Sequence, residues 1–239
     1  MTFQNKIKQI VVIGCGGTGS FLIPPLCRYL ASINFLEDVV LVDGDTYSNS
    51  NSDRQMFDVN QVGLNKAEQQ AGTILRTMPE FKMNLQYVDT YVGLEELEDL
   101  LVENCVVINC GDNNALRHNV ESACLKLKNA VHICCGNEMH HGQVQISMRI
   151  VGKQIFPPIW DRYPQFKTTV EDRSKMSCEE LAKLPSGGQV ISANMMSASI
   201  ALNTIIGLFT PSKWTEHGSV VQKDIVQFNS LTNQALAPT

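Results

Sequence analysis

Ile10-Val11-Val12-Ile13 runs straight into Gly14-Cys15-Gly16-Gly17-Thr18-Gly19-Ser20, and this stretch decides the fold. Four β-branched residues with no polar alternation predict a short parallel strand buried on both faces. The glycines that follow let the backbone turn sharply and bring amide groups and a helix N-terminus close to an anion such as phosphate. A packing turn in an α/β protein would also use glycine, but the strand before it and the helix after it favour a nucleotide loop. That helix is expected over Gly17 to Ala31. A kink or a late start is expected at Pro24-Pro25, since neither proline donates a backbone hydrogen bond.

The same alternation continues along the chain. Val39 to Val42 predicts a second buried strand and places Asp43 at its carboxyl end, the edge of open α/β sheets where ligands bind. Asn60 to Arg76 reads as a helix, Asn84 to Val88 as a strand, and Leu94 to Leu101 as an acidic helix. Cys105 to Asn109 is another buried strand, with Asp112 just past its end, level with Asp43 and the glycine loop. Asn114 to Lys126 is expected as a helix, Val131 to Cys135 as a fifth parallel strand, and Gly142 to Ile150 as an antiparallel addition. Residues 152 to 187 have no sustained period and read as a long crossing loop. Gln189 to Phe209 reads as a buried helix and Val220 to Phe228 as a last strand. The expectation is one α/β domain over 1–239: a doubly wound, mainly parallel, Rossmann-like sheet with antiparallel additions in its C-terminal part. Its nucleotide-binding core covers about 8–150, with the C-terminal helix and strand over about 188–229.

Composition narrows the function classes. A chain of 239 residues with 44% hydrophobic content can bury a sizeable core. A net charge of −5 argues against a general nucleic-acid footprint. The apolar stretch from Ile10 to Leu30 is interrupted by glycines and prolines and carries no signal-peptide cleavage pattern, so a cytoplasmic protein without a membrane partner is expected. Eight cysteines would suggest a disulfide framework in a small secreted chain. In an α/β chain of this length, with cysteines mostly in apolar stretches, reduced thiols are the expectation.

Beyond the loop, an acid at the end of the second strand suits ribose hydroxyls, and Asp43 is placed for that role. Arg54 and Lys66 lie in a loop and the helix after it, where positive side chains can converge on a triphosphate and gain strength as charge develops on a leaving pyrophosphate. Asp112 offers a hard oxygen ligand of the kind Mg²⁺ accepts while keeping most of its waters. A plain helix N-cap is the alternative for Asp112. Cys134-Cys135 near His140-His141 does not form a metal site by this reading, because adjacent strand residues face opposite sides.

Taken together, Gly14, Gly16, Gly17 and Gly19, then Asp43 and Asp45, then Asn51, Arg54 and Gln55, then Lys66, and finally Asp112, Asn113 and Arg117 resemble the ThiF family of adenylyltransferases. That family includes the activating enzymes of ubiquitin and of ubiquitin-like sulfur carriers. The resemblance spans roughly residues 8 to 150, fades toward 210, and is most specific from Asp43 to Gln55. The short chain and the Ser177-Cys178-Glu179 segment resemble the ThiF-type proteins of plasmid and phage-associated operons within it. The resemblance implies ATP and Mg²⁺ as cofactors and a homodimer. It also implies a small ubiquitin-like or sulfur-carrier protein ending in glycine as the partner whose carboxylate is adenylated. It makes Cys178 a candidate nucleophile for a later thioester step, against an ordinary structural thiol. Many relatives bind zinc through two Cys-x-x-Cys pairs; this sequence has none, so structural zinc is not expected. Relatives often supply an N-terminal arginine to the partner subunit's site. Only nine residues precede Ile10 and none is arginine, leaving Lys6, Lys8, Arg162 or Arg173 as stand-ins. Two other readings stand beside adenylation of a carrier protein: activation of a small-molecule or tRNA-base carboxylate, and a non-catalytic module that binds nucleotide or a partner. A redox NAD enzyme fits least, because Arg54, Lys66 and Asp112 would have no task in it.

Overall fold

The computed structural model describes residues 7–35, 37–79, 82–168, 190–212 and 220–237. Nine strands form one sheet in the order β3-β2-β1-β4-β5-β6-β8-β9, with β7 pairing β6. The first five, β1 (Gln9–Ile13), β2 (Asp38–Val42), β3 (Asn84–Val88), β4 (Cys105–Asn109) and β5 (Ala130–Asn137), are parallel. The rest, β6 (His141–Ile150), β7 (Lys153–Phe156), β8 (Ile225–Asn229) and β9 (Gln234–Leu236), are antiparallel additions. The doubly wound expectation holds, and its switch point lies between β1 and β4, where strand order reverses and a crevice opens at the carboxyl ends.

Burial on both faces explains why the strands read as unbroken apolar runs. Ile10 and Val12 of β1 face a cluster with α1 (Gly17–Ser32), α2 (Lys66–Thr77) and the long C-terminal helix, whereas Val11 and Ile13 face a second cluster with α3 (Leu94–Leu100) and α4 (Asn114–Lys126). Cys134 and Cys135 fall into different clusters, as their adjacent places on β5 require.

Several expectations are corrected. Helix α1 runs through Pro24 and Pro25 from Gly17, so it does not start late. The helix expected from Asn60 is split: a 3-10 turn over Val59–Gln61 is followed by Gly63 at φ 85°, and α2 starts afresh at Lys66 behind an Asn65 cap. The first part of the crossing loop is not structureless. It contains β7, α5 (Ile159–Arg162) and α6 (Gln165–Thr168), each four residues long and too short to leave a period in the sequence. The last strand begins only at Ile225, and β9 follows it as an unforeseen, fully exposed edge.

The C-terminal helix, α7 (Ile191–Phe209), is long and apolar enough by length and composition to cross a membrane. The sequence reading recognised only the Ile10–Leu30 stretch in that respect. Here α7 buries Ala193, Asn194, Ala201, Ile205 and Leu208 against α1 and the sheet, as a core helix does. The core also holds a buried polar set on the other side. Glu121 of α4, fully buried, accepts from Ser147 at 2.7 Å and lies 2.7 Å from Nδ1 of His132, itself fully buried on β5.

Candidate nucleotide site

The loops that leave the carboxyl ends of β1, β2 and β4 meet at one edge. Gly14, at φ 91°, has Gly111 N only 2.9 Å from where a Cβ would stand, so the glycine loop and the Asp112 loop touch through backbone alone. A Cβ on Gly19 would sit 1.9 Å from Gly14 O. That contact is backbone against backbone and cannot relax by a side-chain rotation. Gly19→Ala should therefore lower stability by about 1–3 kcal/mol and weaken nucleotide binding by opening the loop. Thermal melts and ATP titration check it; a variant as stable as the parent would show that the loop yields.

Helix α1 opens at Gly16 with no side-chain cap and no acid in its first turn. Elsewhere at this edge the helices are capped from within: Asn65 accepts from Glu68 N on α2 and Asn113 accepts from Leu116 N on α4. The uncapped amides of α1 carry the partial positive charge of the helix end, which is what an anionic phosphate fits. Gln55 lies against Gly16, its amide 3.2 Å from a would-be Cβ, and its buried Oε1 has no partner among the described residues.

Asp43, expected at a ribose position, is also used within the fold. Its Oδ2 accepts from Cys15 N at 2.7 Å and its Oδ1 from Asp45 N at 3.0 Å, so it braces the glycine loop against β2. Burial pushes its carboxyl above the usual range, while Lys66 and the two amides pull it back. Two oxygens with about four acceptor sites leave room for ribose hydroxyls as well. Lys66, almost wholly buried, pairs with Asp45 at 2.5 Å. Arg54 folds onto its own turn, donating to Ser50 O and Asp53, each at 2.7 Å. Both cations are thus present at the edge, each held by a neighbouring acid. Asn51 is a turn residue here: its side chain accepts from Ser48 N and its carbonyl accepts from Arg54 N and Gln55 N.

Asp112 is exposed, and its carboxylate has neither hydrogen bond nor ion pair to any of the described residues. The N-cap alternative is removed for it, because Asn113 performs that role. Among the described residues no group of three or more His, Cys, Asp or Glu gathers at one place. A hard, exposed carboxylate on a loop that touches the glycine loop fits Mg²⁺, which takes its remaining ligands from water and phosphate. Arg117 is a clamp: it donates to Asn114, to Gly111 O and to Cys135 O, and its guanidinium lies 5.3 Å from the centre of the Phe166 ring.

Two of the proposed stand-ins for the missing arginine are placed elsewhere. Lys8 pairs with Glu37 beside the amino end of β1, away from the ligand edge, and Arg162 makes a two-point pair with Asp224 at 2.7 and 2.9 Å. Lys6, Arg173 and Cys178 lie outside the described residues. The sequence reading missed Asn194. It sits in an otherwise apolar, small-residue helix, and it is wholly buried between α1 and the Arg54 turn. An amide inside a run of Ala, Ser and Met was the available signal.

The chain matches the ThiF family over residues 2–236. The molybdopterin-synthase adenylyltransferase of Escherichia coli K12 is 30% identical over 124 residues, 52% of this chain and 47% of that protein. The sulfur carrier protein ThiS adenylyltransferase of the same organism is 28% identical over 127 residues, 52% of this chain and 48% of that one. Among solved structures, E. coli MccB with ATP superposes at a TM-score of 0.68 and 19% identity, covering 99% of this chain and 66% of MccB. PaaA superposes at 0.67 and 16% identity, covering 98% and 65%. These structural likenesses concern the fold. The matched segments amount to about half the length of the curated relatives. By the extent of its family match and by the residues gathered at the sheet edge, the chain belongs to the ThiF family.

Proposed function

We propose that the chain is an ATP-dependent adenylyltransferase, and that its substrate is the C-terminal carboxylate of a small ubiquitin-like or sulfur-carrier protein ending in glycine. The observation that carries the reading is the uncapped N-terminus of α1 at the same sheet edge as Asp112, whose carboxylate has no partner among the described residues, with Lys66 and Arg54 also on that edge. In the reaction a carboxylate oxygen forms a bond to the α-phosphorus of ATP. The bond from that phosphorus to the bridging oxygen breaks, and its electrons leave with pyrophosphate. The attacking carboxylate is already ionised, so no protein base is needed, and catalysis reduces to positioning and charge.

The residues divide the work. The glycine-loop amides and the end of α1 hold phosphate, and Asp43 fixes the loop and takes the ribose. Lys66 and Arg54, released from Asp45 and Asp53 toward the phosphates, would meet charge that grows in the transition state. Asp112 would hold magnesium, which supplies neutralisation of the leaving pyrophosphate. The reading includes a homodimer, supported by the outward-facing Ile191 and Met195 of α7. A cytoplasmic setting is part of the reading, supported by the seven described cysteines being thiols.

ATP–pyrophosphate exchange in the presence of small proteins ending in glycine tests the reading. Exchange that depends on such a protein supports it, and tight ATP binding without exchange under any carboxylate partner selects a binding module instead. A thioester step is a separate proposal resting on Cys178. Cys178→Ser should keep exchange and lose a reductant-sensitive adduct with the carrier protein in intact-mass analysis. An adduct of unchanged yield eliminates this cysteine as the nucleophile.

A further inference from the structure

The carbonyl of Arg54 is held from across the fold. Asn194, 140 residues further along the chain in the first turns of α7, donates from Nδ2 to Arg54 O at 3.0 Å. Its Oδ1 accepts from Asn137 Nδ2 at 2.7 Å, at the end of β5, and lies 3.5 Å from Thr18 Oγ1 on α1. Both ends of the carboxamide are therefore used, and each in a different element. The fit is close: a Cβ on Gly17 would come within 2.9 Å of the Asn194 amide. The Arg54 turn is otherwise tied to the fold near this point by Met56 N donating to Ser20 Oγ at 2.9 Å, again on α1. A second tie comes from α2, where Gln70 Nε2 donates to Met56 O at 3.3 Å, and the other bonds given for the turn among the described residues are local, within Ser48 to Gln55.

We propose that Asn194 is a positioning residue for adenylation: it pins the Arg54 turn against the N-terminus of α1, so that the arginine and the phosphate-binding amides keep one geometry. This deepens, and rests on, the adenylyltransferase reading. A buried polar side chain in the first turns of a helix built from small and apolar residues is otherwise costly, and here every polar atom of its amide has a partner. Asn137 and Thr18 anchor the amide on β5 and α1, so the Arg54 turn is held to a fixed frame. The group works through Arg54 and not on the substrate.

Two variants separate this role from general support of the fold. Asn194→Ala removes both contacts, whereas Asn194→Asp keeps the shape and the acceptor toward Asn137 but loses the donor to Arg54 O. Hydrogen–deuterium exchange should rise at residues 52–56 in both, with α7 and the sheet still protected. Pyrophosphate exchange should fall about ten-fold in both. The double variant Arg54→Ala with Asn194→Ala should be no slower than Arg54→Ala alone, since a residue acting through another adds nothing once that one is gone. Losses that multiply, or unchanged protection of residues 52–56, would overturn the proposal. If the parent itself shows no pyrophosphate exchange with any carboxylate, the adenylation reading fails, while the hydrogen-exchange result still decides whether Asn194 pins the turn.

Discussion

Asp112→Ala is expected to cut ATP–pyrophosphate exchange by at least about 100-fold, the scale seen when one preorganised electrostatic group is removed from a charge-stabilised transition state. The side chain is exposed, caps no helix and has no partner among the described residues. Its loss should therefore leave the melting temperature within about 1 °C of the parent, as surface substitutions away from such features do. ATP affinity should fall much less than turnover, because magnesium held by this carboxylate matters most when charge collects on the leaving pyrophosphate. Asp112→Asn keeps the shape without the charge and should behave like the alanine variant. Raising Mg²⁺ should recover part of the activity in both, since water can take the empty ligand position. Equal turnover of mutant and parent at saturating ATP and low Mg²⁺ would remove Asp112 from the metal role. A parallel fall in stability would instead assign it to the fold.

How much of this was legible depended on burial and on length. Strand β4 and helix α4 were read with their observed bounds, because Cys105 to Asn109 is buried on both faces and the helix follows directly on its Asn113 cap. The glycine loop, Asp43 and Asp112 were placed at one edge for the same reason: each follows a strand whose end is marked by the loss of apolar residues. What the sequence does not carry is partner choice over distance. Nothing near Lys66 identifies Asp45 as its counter-ion rather than a phosphate, and nothing near Arg54 points to Asn194, 140 positions on. Four-residue elements such as α5 and α6 leave no period, and the three exposed residues of β9 carry no burial signal. The Glu121–His132–Ser147 set was hidden for a third reason. None of the three residues points to the others in sequence, and only the packing of α4 on β5 and β6 brings them together.

That buried set carries the largest stability effect expected for this chain. Burial disfavours the His132 imidazolium, but its neighbours Cys134 and Glu121 and the Glu121 charge more than offset this, and the histidine is raised from 6.5 to about 9. His132→Leu leaves the fully buried Glu121 carboxylate with Ser147 as its remaining partner, and removing one member of a buried pair costs about 3–5 kcal/mol. In a chain of this size that lowers the melting temperature by about 10 °C. Removing both charges in Glu121→Met with His132→Leu should restore most of the loss, because no buried charge is then stranded. The pH dependence follows from the same pair. The folded state binds the His132 proton more tightly than the unfolded chain, so the stabilisation is fully present below about pH 6.5 and disappears as pH rises through about 9. The span amounts to about 3 kcal/mol at 1.36 kcal/mol for each pH unit. Melts of the parent between pH 6.5 and 9.5 should show this decline beyond any seen in the double variant, which lacks the group. A His132→Leu protein within about 1 kcal/mol of the parent, or parent and double variant with identical pH profiles, would mean that His132 is neutral in the folded core.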